Sequence, residues 1–169
     1  MKNLNLKIQG GYELRPIVEI DGKVVAYKRN KHKNIEINHQ TENSSVKLTL
    51  RNVLEIKGPY WWLVQMAFFI LSCFGIFNPR LEKFCYNIHF CATLELSEGE
   101  NDVLLKFNYL KDGARAIEFV SDNKIVEDEN KYVVDSEAKK RKKILLASRL
   151  VAWAILAAGI ILGVVLSIK

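Results

Sequence analysis

Cysteine, proline and histidine are scarce: each occurs three times in 169 residues. An odd set of cysteines, Cys73, Cys85 and Cys91, with the first inside an apolar run, excludes the paired disulfide framework of a small secreted domain. Cys85, His89 and Cys91 share one face of an expected strand, and thiolate and imidazole are good zinc ligands. Their spacing nevertheless spreads them over about 20 Å at ~3.3 Å per residue, too far for one tetrahedral ion. No local signature frames a Cys–His nucleophile. Gly10-Gly11 is not followed by the helix and Lys-Ser/Thr of a phosphate loop. Glu127-Asp128-Glu129 lacks the Asp-x-Asp-x-Asp-Gly spacing of a calcium loop and reads as part of a solvated acidic connection. No enzyme chemistry, cofactor or metal is expected. The N-terminus also lacks the apolar run of a signal peptide, so it is expected to stay in the cytosol.

Charge is missing from two stretches, and these organise the chain. Leu150–Ile168 is apolar throughout, with Arg149 before it and Lys169 after it. At 1.5 Å per residue it is roughly 28 Å long, close to the ~30 Å hydrocarbon core of a bilayer, and it is expected to cross one. The second uncharged stretch, Tyr60–Phe77, lies between Pro59 and Asn78-Pro79. Its length falls between that of a spanning helix and that of a re-entrant or interfacial one. Trp61 and Trp62 suit an aromatic anchor at lipid headgroups. Gln65 and Ser72 are seven apart, on one helical face, and are expected at a helix–helix contact. Gly159 and Gly163 form a GxxxG pattern that permits close approach of a second helix, in a homodimer or within the chain.

The rest reads as β. Leu4, Leu6 and Ile8 alternate with polar residues, and Asp21-Gly22 between Ile17–Ile20 and Lys23–Tyr27 signals a hairpin. Ile35 and Ile37 suggest a strand, Asn38–Ser45 a polar turn, and Val46–Arg51 another strand that Val53–Ile56 extends. Further on, Tyr86–Leu96 alternates over a long strand and Ser97–Asp102 is a turn. Val103–Tyr109, Ala116–Val120 and Tyr132–Val134 are strands, with Ser121–Lys131 an acidic connection. The expected organisation is therefore a β-sandwich in two parts, 1–58 and 80–138, interrupted by an apolar helix at 59–79. A basic juxtamembrane segment, 139–149, and a transmembrane helix, 150–168, follow.

The net charge of +6 is largely local. Lys139-Lys140-Arg141-Lys142-Lys143 directly precedes the last apolar stretch. Cations resist translocation, so the bulk of the chain is expected in the cytoplasm and the C-terminus outside. These five residues, with Arg149, Trp61 and Trp62, are the candidate lipid-headgroup contacts; anionic lipid is the expected counter-charge, not nucleic acid. Residues 1–58 hold eleven basic and six acidic groups, and 79–138 hold seven and thirteen. Exporting the first part opposes the positive-inside tendency, and the opposite charges suit two halves of one domain. Both arguments favour a dip of Tyr60–Phe77 into the bilayer over a true span.

Ile20-Asp21-Gly22-Lys23-Val24, Ile35-Glu36-Ile37 and Val46-Lys47-Leu48-Thr49-Leu50 together resemble small bacterial PEGA-type β-sandwich modules, over roughly residues 17–50. The usual proline-glycine turn is replaced by Gln40–Ser45, and the apolar stretch after Gly58 departs from the pattern. The resemblance implies a binding or scaffolding element and carries over no catalytic residue. The expected function is a non-catalytic, membrane-tethered binding or scaffold domain, an immunity-type protein among the possibilities. An accessory subunit of a transporter or channel is the alternative.

Overall fold

Side-chain alternation decides which residues meet. Leu4, Leu6 and Ile8 of β1 (Lys2–Gln9) are buried, while Asn5 and Lys7 point the other way. The same period of two runs through β2 (Pro16–Ile20), β5 (Ile35–Thr41), β6 (Ser45–Asn52), β7 (Tyr86–Glu95) and β8 (Gly99–Phe107). Shorter strands are β3 (Lys23–Val24), β4 (Lys28–Arg29) and β9 (Ile117–Val120), and β10 is Ile125–Val134. The chain is thus mainly β, ending in an apolar helix. The computed structural model describes residues 1–11, 14–74 and 85–168. It divides into a strand unit, Met1–Val53 with Tyr86–Val134, and a helical unit, Leu54–Cys85 with Asp135–Lys169.

In the strand unit two five-stranded sheets run β4-β5-β1-β8-β9 and β10-β7-β6-β2-β3. Only β1 and β8 pair in parallel among the described strands. Their apolar faces enclose one core, in which Phe90 of β7 meets Phe119 of β9 at 5.4 Å between ring centres. Leu4, Leu48, Leu50, Leu94 and Leu105 are fully buried there. Each such side chain contributes about 1.5–3 kcal/mol by leaving water.

Asp21 and Gly22 both have positive φ, 49° and 74°, as the two-residue turn between Ile20 and Lys23 requires. The Asp21 carboxylate also accepts from Lys47 N at 2.8 Å, which ties the hairpin to β6. Gly11 has a different reason to lack a side chain: a Cβ there would lie 2.2 Å from the Phe107 ring.

Several boundaries differ from expectation. β5 continues to Thr41, into the expected turn, because β1 supplies partners as far as Lys2↔Thr41. Likewise β8 begins at Gly99, opposite Lys2. β6 is not extended by Val53–Ile56. The Asn52 side chain instead donates to Tyr86 O at 3.0 Å and accepts from Ile88 N at 2.8 Å, and a 3₁₀ turn forms at Glu55–Lys57. The acidic connection is mostly strand: β10 pairs with β7 from Ile125↔Leu94 to Val134↔Tyr86, with a bulge between Glu127 and Glu129. Charge on its outer face is no obstacle, since only inward positions such as Tyr132 must be buried.

In the helical unit α1 spans Trp61–Cys73, 13 residues or about 20 Å. The expected end of the apolar block at 75–79 lies outside the described residues, as does Lys169. α2 is continuous from Ser136 to Ser167, 32 residues or about 48 Å. The basic segment is therefore the start of the same helix and not a separate linker. No glycine or proline interrupts it before Gly159, and Lys, Arg, Ala and Leu favour helix.

Candidate functional site

The sequence-predicted residues fall mainly in the helical unit, and its geometry begins at Asp135. This residue caps α2, its carboxylate accepting from Ala138 N at 2.8 Å. Its other oxygen accepts from Lys57 Nζ at 2.9 Å, and Lys57 also reaches Glu137 at 3.4 Å. The Asp135 hydrogen bond and the two carboxylates hold the Lys57 ammonium above the ordinary lysine range. Beside this cap Leu54, Ile56, Cys85, Ala138 and Leu145 form a small buried cluster, against which Trp61 packs. Burial pushes the Cys85 thiol up, away from the reactive thiolate.

The cations split into two kinds. Arg141 is engaged within the unit: it donates to Ile56 O at 3.0 Å and to Glu137 at 2.5 Å, and lies 5.1 Å from the centre of the Trp61 ring. Arg149 is buried and sits 5.2 Å from the Phe69 ring centre. Lys139, Lys140 and Lys143 are exposed and Lys142 half-buried. Trp62 is 41% exposed, whereas its neighbour Trp61 is half-buried.

Of the expected helix-contact residues, Gln65 is buried, and its Oε1 has no donor among the described residues. Ser72 donates to Phe69 O at 2.6 Å, within its own helix. The observed contact between α1 and α2 runs through Phe69 and Trp153, edge to face at 5.9 Å. Gly159 and Gly163 take no part in it: a Cβ at either would meet nothing within 4 Å.

The strand unit offers a second surface, the outer face of the β4-β5-β1-β8-β9 sheet. Asn5, Lys7, Glu36, Asn38 and Asp102 line a shallow depression there of about 400 Å³. Asn5 donates to Asp102 at 2.9 Å, and Lys7 lies 4.0 Å from Glu36. The sheet edges offer less to a partner. β3 and β4 have two residues each. β10 is bulged among its acidic residues, and further along Tyr132 exchanges backbone bonds with Gly113 and Ala114. Short, bulged and covered edges discourage strand addition.

The cysteine–histidine strand brings no site together. Cys85 is in the helical cluster, His89 lies 3.7 Å from Glu129, and Cys91 donates to Asp128 at 3.5 Å. No group of ligating side chains converges among the described residues. No family model matches the chain, and no curated protein or solved structure is significantly similar to it. The resemblance of residues 17–50 to PEGA-type modules thus gains no support from these comparisons.

Three polar residues of structural consequence escaped the sequence reading. Asp135 could have been found as an N-cap, an aspartate just ahead of a helix-favouring run. Asn101 is buried, donating to Asn3 O, Ser97 O and Gly99 O and accepting from Ser97 N and Asn123 Nδ2. Asn130 accepts from Ala116 N and Ile117 N and donates to Ile117 O. Asn130 carries no local signal, because Ala116 and Ile117 are distant in sequence; Asn101 closes its own turn through Ser97 and Gly99, but its bonds to Asn3 and Asn123 depend on the fold.

Proposed function

We propose that the chain is a non-catalytic β-domain, tethered to the cell membrane, that binds a protein partner at the cytoplasmic face. The observation that carries this reading is α2 itself. Its most apolar 18-residue window is wholly unburied within the chain, and Lys139–Lys143 lie at the opposite end of the same helix. Apolar side chains left uncovered over that length need lipid or protein around them, and the lysines favour the cytoplasmic side.

The strand unit supports the same orientation. Asn52 bonds Tyr86, and Val134 pairs with Tyr86, so the chain departs and returns at neighbouring points of one sheet. This favours a reading in which both ends of the segment holding α1 lie on one side of the bilayer. At about 20 Å, α1 is shorter than ~30 Å of hydrocarbon, which supports a dip or an interfacial position over a span. Recognition falls to the amide-rich outer sheet face, since the edges are blunted. Tethering raises the local concentration of that face for a membrane-bound partner.

The test is labelling with an impermeant maleimide, using Ser97→Cys and Ser167→Cys in a chain whose own cysteines are serine. Ser167→Cys should label from outside intact cells, and Ser97→Cys only after permeabilisation. Outside labelling of Ser97→Cys overturns the orientation.

A further inference from the structure

The helical unit carries an apolar groove that the tethering role does not use. Trp62 and Met66 of α1 and Ile144, Ala147, Val151 and Ile155 of α2 line it, about 560 Å³ in all. From Ile144 to Ile155 the groove runs roughly 16 Å along α2, from the basic segment into the apolar stretch that begins at Leu150. Its polar end is cationic. Lys140 and Lys143 stand one helical turn before Ile144 and Ala147, on the same face. Both are exposed and, among the described residues, make no ion pair. Of the other cations of this stretch, Arg141 is committed to Glu137 and Ile56, Arg149 lies against Phe69, and the spacing of Lys139 and Lys142 puts them on other faces of the helix.

We infer that this groove binds one anionic phospholipid of the cytoplasmic leaflet, an acyl chain lying against Met66 and Val151 and the phosphate held by Lys140 and Lys143. Charge complementarity selects the occupant. A partner's apolar helix would fill the groove without using two unpaired cations at its mouth, whereas an anionic lipid satisfies both features at the spacing seen. Trp62, at the groove wall, is placed to sense the chain, since indole rings prefer the headgroup level. The inference rests on the membrane-tethered reading and narrows it from bulk attraction to a stoichiometric site.

The experiment uses the full chain, first floated with phosphatidylcholine vesicles, with or without phosphatidylglycerol, and then studied by native mass spectrometry from detergent. One retained phosphatidylglycerol per chain is expected, favoured over phosphatidylcholine by roughly thirtyfold, the scale of two lysines near an anionic headgroup. Lys140→Gln with Lys143→Gln should remove that preference, while Lys139→Gln should leave it. Ala147→Trp should fill the groove and displace the lipid with the lysines intact. Equal retention of the two lipids by a chain that floats overturns the lipid site but leaves the tether standing. So does an Ala147→Trp variant that retains the lipid, or one that changes the oligomeric state and not lipid retention. Failure of the unaltered chain to float overturns both.

Discussion

The two units use apolar residues in opposite ways. In the strand unit Leu4, Leu48, Leu50 and Leu105 are wholly withdrawn, each facing the opposite sheet. In the helical unit Leu150, Ile155, Ile161 and Leu166 are more than 60% exposed, and the buried cluster is confined to residues around the start of α2. The same residue types thus have an internal solvent in one place and, in the function proposed above, an external one in the other. Period decides it: alternate residues of a strand can be apolar on one side only, whereas a helix apolar all round cannot hide itself. The polar residues follow suit. Asn101 and Asn130 knit the strand unit from within, while Lys139, Lys140 and Lys143 of α2 remain exposed.

The comparison breaks most visibly if its two solvents are exchanged. Leu156→Arg with Ile160→Arg places two charges in the apolar helix, each costing roughly 2.5–3.5 kcal/mol at the bilayer centre. Vesicle flotation should be lost while the strand circular dichroism persists. The converse variant, Leu105→Ala, should cost the strand unit roughly 2–5 kcal/mol, read as a lower denaturation midpoint, with flotation unchanged. If either variant damages both properties, the units are not independent.

A pH experiment separates them more finely. Burial raises the Tyr132 phenol from 10.0 to about 12, so in the folded chain its neutral form is favoured. That contribution is complete below pH 10.0 and is lost as the pH rises through about 12. One of the six tyrosines should therefore titrate late in phenolate absorbance, and alkaline loss of strand structure should be delayed in Tyr132→Phe. The smallest effect is expected at the cap. Asp135→Ala should cost about 1 kcal/mol, seen as faster amide exchange in the first turn of α2 only.

Much of this was legible from local pattern. The Asp21-Gly22 hairpin, the alternation of β1, β6 and β7 and the uncharged length of α2 all follow from side-chain period and turn stereochemistry. Strand ends were not legible: β5 and β8 run on because β1 lies beside them, and β6 stops where the Asn52 side chain takes over the ladder. The acidic run Glu127–Glu129 read as a loop because charge masks a strand whose inward face depends on few residues. Of the candidate site, the lysine cluster and the tryptophans could be found as types, but not their division of labour.

By itself the sequence determined that the chain is mainly β and that it ends in an apolar helix. Both follow from the transfer free energy of side chains repeating at a period of 2 or 3.6. Tertiary structure alone decided that segments on either side of α1 share one sheet, since strand pairing joins residues far apart in the chain. It also decided that Arg141 and Arg149 lie against aromatic rings while Lys140 and Lys143 flank an open groove. Spacing along a helix puts a charge on a face, but only the elements packed against that face determine whether the charge is already satisfied.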